Sequence, residues 1–167
     1  MSSFDIAGRV VALDLGSRRI GVAVSDDGRR VASPYMVLVR SASHEEDHRA
    51  IAECVAEVGA SLVVVGLPLS LSGGHGPAAS GVRAEVEELV RALPVPVECC
   101  DERYSTVIAQ RALANGGRRP AARRAVVDKV AAAAILQTWL DRQRSTADRH
   151  MSLQDDRWFT GGVSAGQ

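Results

Sequence analysis

Two short apolar runs near the start of the chain, separated by a few polar residues, place the strongest constraint on its fold. The runs cover residues 10–13 and 20–24, and both are rich in valine. Because the segment between them is short and contains glycine, we predict strands over residues 10–15 and 19–25 joined by a tight turn. Asp14 lies at the tip of the first strand. Burying a carboxylate there is costly unless a cation pairs with it, which makes Asp14 the first candidate site residue.

The rest of the chain alternates between strand and helix patterns. A third strand is predicted over residues 31–39, where Pro34 favours an edge or bulged strand. Further strands are predicted over residues 62–67 and 95–100, and helices over residues 44–58, 77–92, 104–114 and 121–142. This order predicts an α/β fold, in which a mixed five-stranded sheet carries helices on both faces. We expect one domain over residues 1–144 and a polar, flexible tail over residues 145–167.

Net charge does not indicate a partner, because twenty basic and twenty acidic residues cancel. The arginines are nevertheless grouped in the sequence. One group comprises Arg18, Arg19, Arg29 and Arg30, close to Asp14, and the other comprises Arg118, Arg119, Arg123 and Arg124. Arginine binds phosphate through paired hydrogen bonds, and a solvated surface is an equally good interpretation of either group.

The apolar segments and the cysteines bear on the cellular compartment. The chain begins without a secretory signal and has no apolar run long enough to span a bilayer, so we expect a cytoplasmic protein without a membrane partner. Cys54, Cys99 and Cys100 form no metal or disulfide framework. The adjacent Cys99 and Cys100 should face opposite sides of a strand, with one buried and the other, as an alternative, available for an intermolecular disulfide.

Acidic residues at three places are candidates for a metal site. Asp14 ends the first strand, the pair Asp101 and Glu102 ends the last one, and Asp128 lies on a largely apolar face of the final helix. If that helix crosses the strand ends, the carboxylates converge and need cations to neutralise their repulsion. Oxygen ligands suit Mg²⁺ or Mn²⁺, and such ions support phosphodiester hydrolysis.

Each carboxylate also has a structural interpretation, which stays open at this point. The structural interpretations are turn capping by Asp14, pairing of Glu102 with Arg103, and pairing of Asp128 with Arg124 or Lys129. His75 lies in a glycine-rich loop over residues 66–76, where it is either a general base or, more simply, an exposed loop residue.

Four segments, in this order, resemble one family of bacterial proteins. They are residues 12–26, residues 64–68 with Gly73 and Gly76, residues 101–106, and residues 127–137. On these motifs the chain resembles the YqgF family, also called RuvX, of the RNase H-like superfamily. The resemblance covers residues 10–141 and implies an RNase H-like fold and a divalent-metal-dependent nuclease, a hydrolase acting on ester bonds.

The resemblance also implies roles for particular residues. Asp14, Glu102 and Asp128 are the implied catalytic and metal-binding residues, with Asp101 as second choice for Glu102. The chain departs from many superfamily members at Gly66-Leu67-Pro68, because those members carry an acid after the corresponding strand. The arginines implied to contact nucleic acid are Arg18, Arg19, Arg103, Arg118, Arg119, Arg123 and Arg124.

The implied partner is a structured nucleic acid, and two substrates stay open. The first is the 5′ end of pre-16S rRNA, processed during ribosome biogenesis, which a monomer could trim. The alternative is a Holliday junction in DNA recombination and repair, which a homodimer with two sites would cut symmetrically. An actin-like or sugar-kinase ATPase would need a second related domain, and a non-catalytic RNA-binding module would not need three carboxylates.

Overall fold

The computed structural model describes residues 8–67, 77–101 and 121–155 of the 167-residue chain. The strands are β1 (Arg9–Leu15), β2 (Arg19–Ser25), β3 (Ala32–Val39), β4 (Ala60–Leu67) and β5 (Val97–Asp101). The helices are α1 (His44–Glu57), α2 (Pro77–Ala92) and α3 (Ala121–Asp155). Several predictions concern residues outside the described ranges: the helix over residues 104–114, the loop carrying His75, and Glu102, Arg103, Arg118 and Arg119.

The five strands form one mixed sheet in the order β3-β2-β1-β4-β5. β1 and β2 pair antiparallel, as do β2 and β3, whereas β4 pairs parallel with both β1 and β5. This arrangement confirms the predicted mixed five-stranded sheet. β3 lies at an edge, and its register with β2 shifts where Pro34 pairs with Ala23, which confirms the predicted edge strand with a bulge.

Side-chain alternation along the central strand β1 separates two apolar cores. Val11 and Leu13 belong to the core that α1 and α2 cover on one face of the sheet. Val10 and Ala12 belong to the core that α3 covers on the other face. Helices therefore lie on both faces, as predicted, and each residue of β1 can be assigned to one face by its position.

Helix α3 approaches the sheet closely and is longer than the sequence pattern indicated. Its buried Ala131 and Ala132 are 2% and 0% exposed, which gives the helix the thin side expected from its alanines. The prediction ended the helix at residue 142, but it continues to residue 155. The segment between contains neither glycine nor proline, and the hydroxyls of Ser145 and Thr146 donate to helix carbonyls one turn earlier. No helix in the described ranges combines the length and apolarity needed to cross a membrane.

The cysteines behave as the strand alternation predicts. Cys100 is buried in the core beneath α3, whereas its neighbour Cys99 is exposed. Cys54 is buried between α1 and the sheet. The expectation that Cys99 and Cys100 face opposite sides of the strand is therefore confirmed.

Candidate active site

Asp14 lies at the end of β1, on the face of the sheet that α3 covers. It follows Val10 and Ala12 at intervals of two residues, and both of these pack against α3. Its residue surface is 7% exposed. The N–H of Gly16 donates to the carbonyl of Asp14 at 3.0 Å, so the chain turns immediately after this residue. β1 therefore holds a nearly buried carboxylate at the edge of the sheet.

Gly21 brings the backbone of α3 against the same place. It is the antiparallel partner of Asp14, and paired residues on neighbouring strands lie about 4.5–5.5 Å apart at their Cα atoms. A Cβ atom on Gly21 would lie only 2.1 Å from the carbonyl oxygen of Asp128. Helix α3 thus rests directly on the glycine, and the structure brings Asp128 to the neighbourhood of Asp14.

Arg19 supplies positive charge at this site. Its Nε atom donates to Oδ2 of Asp128 at 2.5 Å, and the two side chains are 23% and 27% exposed. The structural interpretation of Asp128 named Arg124 or Lys129 as its partner, but the ion pair is made with Arg19, at the start of β2. The position beside Asp128 therefore favours a cation, and water reaches both partners.

Asp101 lies on the other face of the sheet from Asp14. It follows Cys100 at the end of β5, and Cys100 belongs to the core beneath α3. Alternation along the strand gives Asp101 the same face as Cys99, away from α3. Asp101 therefore does not join Asp14 and Asp128 on the α3 face, and Glu102 lies outside the described residues.

The predicted phosphate-binding arginines have different positions. Arg18 is exposed in the turn between β1 and β2, and Arg124 is exposed one helical turn before Asp128. Arg123 belongs to α3, but its side chain is outside the described part of the structure. Two basic side chains, Arg18 and Arg124, thus remain at the surface close in sequence to the carboxylates, and Arg19 pairs with Asp128.

Arg29 does not lie with the arginines near Asp14, so the grouping predicted from the sequence is wrong for this residue. Its guanidinium donates to the carbonyl of Gly8 and to the hydroxyl of Ser61, both at 2.8 Å. Gly8 directly precedes β1, and Ser61 is the second residue of β4. Both therefore lie at the opposite end of the sheet from Asp14. The reason is that β2 runs antiparallel to β1 and returns the chain, with Arg29 and Arg30, to that end.

Sequence reasoning missed Arg40, which holds the turn after Asp14. Its backbone N–H donates to the carbonyl of Arg18 at 3.0 Å, and its Nε donates to the carbonyl of Gly16 at 2.9 Å. Its two terminal nitrogens donate to both oxygens of Glu85, at 2.5 and 2.9 Å. This hydrogen bonding to Glu85 raises the pKa of Arg40 above its ordinary value. The only sequence signal was an arginine directly after a strand, which does not identify a partner on a distant helix.

Comparisons with known proteins identify the family to which the chain belongs. Residues 8–142 match the model of the family described as RuvX, Holliday junction resolvase. A protein of Mycobacterium sp. (strain KMS), named "Putative pre-16S rRNA nuclease", is 45% identical over 139 residues, which cover 83% of this chain and 82% of the relative. A protein of the same name from Chloroflexus aurantiacus is 44% identical over 144 residues, with coverages of 86% and 94%. The solved structure of T. thermophilus RuvC in complex with Holliday junction substrate is also similar, at 15% identity and a TM-score of 0.47. The aligned region includes 81% of this chain and 95% of the RuvC chain. The chain belongs to the RuvX family.

Proposed function

We propose that this chain is a divalent-metal-dependent nuclease that processes the 5′ end of pre-16S rRNA. The observation that carries the proposal is the close approach of the Asp128 backbone to Gly21, the strand partner of Asp14, at the end of the central strand. Membership of the RuvX family supports hydrolysis of phosphodiester bonds, and the names of the relatives at 44–45% identity support the RNA substrate. As an enzyme of ribosome biogenesis, the protein would act in the cytoplasm.

The residues present fit a divalent metal. Asp14 and Asp128 would hold it through carboxylate oxygens, and Glu102 would be the third ligand. The placement of Asp101 on the other face supports Glu102 over Asp101. The ion pair of Arg19 with Asp128 supports the fit, because it places a positive charge beside that carboxylate. An all-oxygen set favours Mg²⁺ or Mn²⁺, which supply Lewis acidity towards a phosphodiester when bound.

The protein side chains have distinct tasks in this proposal. Asp14 is nearly buried on a central strand, so its carboxylate is held in place and interacts strongly with any cation that reaches it. When substrate binds, Arg19 breaks its ion pair with Asp128 and pairs with a phosphate of the substrate instead. Arg18 and Arg124, which are exposed, attract the nucleic-acid backbone, as would Arg103, Arg118, Arg119 and Arg123.

The second candidate substrate is a Holliday junction, which the family description names. Cutting a junction symmetrically requires two active sites related by a two-fold axis, hence a homodimer. Trimming a single RNA end requires one site. An enzyme that is monomeric during catalysis would therefore exclude symmetric cutting of a junction.

A cleavage assay with both substrates tests the proposal. The full chain, with Mg²⁺ or Mn²⁺, is offered a 5′-extended pre-16S rRNA fragment and a four-way DNA junction. We expect metal-dependent cutting of the RNA, reduced more than about 100-fold in Asp14→Asn and Asp128→Asn, since losing a metal ligand should cost at least as much as losing an outer-shell partner. The matched control is Asp27→Asn, because Asp27 is exposed and pairs with Arg9 at the other end of the sheet. Equal cutting by Asp14→Asn and the wild type would contradict the proposed site, and cutting of the junction alone would contradict the substrate.

A further inference from the structure

A second cluster of metal-binding side chains lies on the opposite face of the sheet, between α1 and α2. His44 and His48 are four residues apart on α1, and Glu85 projects from α2. One ligand atom from each of the three lies within 4.8 Å of the other two. Residues at this spacing share a face of a helix, so both imidazoles can approach one ion. We propose that His44, His48 and Glu85 form a second metal site, for a transition-metal ion of the Zn²⁺ type.

His48 provides an independent sign that a ligand belongs here. The residue is 6% exposed, and its Nε2 atom has no hydrogen-bond partner. A buried polar atom without a partner costs free energy, so such atoms are rare in folded proteins. The nearest carboxylate oxygen, Oε1 of Glu85, lies 3.7 Å away. This separation is too long for a hydrogen bond, but it is close to the distance of about 3.3 Å between two ligands of one tetrahedral zinc ion.

The charges around the cluster favour a divalent cation. Glu85 and Asp47 are buried and Glu88 is half-exposed, which gives three carboxylates. Arg40 pairs with Glu85 and Asp47, and a second arginine beside the cavity, Arg49, is offset by its own partner Glu45. With neutral imidazoles the local balance is therefore negative by two charges, and a divalent ion would compensate it. Arg40 occupies one lone pair on each oxygen of Glu85, which leaves the other for a metal.

The surroundings match those of zinc sites that keep an open coordination position. Nδ1 of His44 lies 3.1 Å from Oε2 of Glu88, and carboxylates in this outer position fix the ring and tautomer of a metal-binding histidine. His48 and Glu88 also line an open cavity of about 370 Å³ between the helices, so the proposed site lies beside solvent-filled space. Two histidines and one glutamate suit zinc, whereas an all-oxygen set suits Mg²⁺. The inference does not depend on the proposed nuclease activity.

Cobalt titration of the metal-free full chain tests the proposal, because bound Co²⁺ has a visible spectrum that reports its ligands. The chain is first treated with a chelator and kept reduced. We expect one tightly bound Co²⁺ per chain, displaced by Zn²⁺, and an increase in Tm when Zn²⁺ is added. His44→Ala, at a mostly exposed position, should weaken binding more than tenfold and remove the Zn²⁺-dependent increase in Tm. His48→Gln should do the same, so that the conclusion does not rest on one variant.

Two controls separate this site from other metal-binding groups. Glu46→Gln changes a neighbouring exposed carboxylate that is outside the cluster, and it should bind Co²⁺ as the wild type does. Asp14→Asn changes the candidate active site, where an oxygen-only site binds Co²⁺ more weakly, and it should keep the tightly bound Co²⁺ that Zn²⁺ displaces. Equal affinity in the wild type and His44→Ala would overturn the proposal. Loss of the tightly bound, Zn²⁺-displaceable Co²⁺ in Asp14→Asn, or a thiolate-to-cobalt charge-transfer band, would also overturn it, because the ion would then be bound elsewhere.

Discussion

Two clusters of arginine and carboxylate side chains lie on opposite faces of the same sheet, and they differ in their access to water. The Arg40 network (Arg40, Asp47 and Glu85) lies on the α1/α2 face, where its side chains are 13%, 4% and 6% exposed. On the α3 face, Arg19 and Asp128 are 23% and 27% exposed and share one ion pair. The enclosed cluster is largely shielded from water, whereas the accessible one is not. Carboxylates and arginine thus serve as structure on one face and as a candidate reaction centre on the other.

Removing a carboxylate from the enclosed cluster should give the largest loss of stability. Glu85→Ala leaves the guanidinium of Arg40 buried without its main partner, and we expect a loss of about 3–5 kcal/mol in the free energy of unfolding. Denaturant unfolding with a chelator present measures this loss without any contribution from bound metal. Glu88→Ala, on the same helix but 43% exposed, is the control and should cost about 1 kcal/mol or less. Similar losses in both variants would remove the distinction between the two clusters.

A side chain at Gly21 should damage the accessible site through the backbone. In Gly21→Ala the new Cβ would overlap the carbonyl oxygen of Asp128, so α3 must move away from β2. We expect a loss of about 1–3 kcal/mol in the free energy of unfolding, together with reduced nuclease activity at temperatures where the protein remains folded. Gly81→Ala is the matched control, because nothing lies within 4 Å of its new Cβ. Full activity in Gly21→Ala would show that the position of Asp128 is not critical.

The free energy of unfolding at low pH should depend on Asp47 of the enclosed cluster. Burial raises the pKa of Asp47, but hydrogen bonds from Ser41 and Arg40 outweigh it, so the pKa of this carboxyl lies below its ordinary value. Its contribution to stability is therefore present above the unfolded pKa of about 4 and is lost as the pH falls through the folded value. We expect Asp47→Asn to be less stable than the wild type at neutral pH, with the gap narrowing in acid. Denaturant unfolding at a series of pH values measures it, and a gap that widens in acid would contradict the assignment.

The smallest effect on stability is expected at Arg19. Its ion pair is partly exposed, so Arg19→Ala should cost about 1 kcal/mol or less. Without the competing guanidinium, Asp128 should bind metal more readily, and the Mg²⁺ concentration for half-maximal cleavage should fall. Arg18→Ala, an exposed neighbour, should leave that concentration unchanged. An increased Mg²⁺ requirement in Arg19→Ala would mean that Arg19 supports the metal site.

The parts of the structure that sequence analysis predicted well depend on local patterns. The order of strands and helices within the described residues, the faces of Cys99 and Cys100, and the edge position of β3 follow from alternation, periodicity and Pro34, and the structure confirms them. The family resemblance is confirmed as well. The extent of α3 was underestimated because polar composition was interpreted as a tail, although exposed helices are also polar.

The contacts that were missed are those between residues distant in the sequence. Arg19 was predicted to bind phosphate, but its pairing with Asp128 spans 109 positions. The grouping of Arg29 with Arg19 failed because an antiparallel strand separates neighbours in sequence by the length of the sheet. The cluster of His44, His48 and Glu85 depends on the packing of α1 against α2. The metal-binding roles of Asp14, Glu102 and Asp128 stay predictions until the cleavage assay is done.

The length of α3 provides an attachment point that is remote from the candidate active site. The helix starts near the candidate active site and runs along the sheet, and Gln137 already contacts Arg30 at the far end. At 1.5 Å per residue, Asp155 lies about 40 Å along the helix axis from Asp128. A fluorophore, an affinity tag or a surface attached there would sit well away from the carboxylates. The protein can thus be immobilised by its last helical turn while large nucleic acids approach the opposite end.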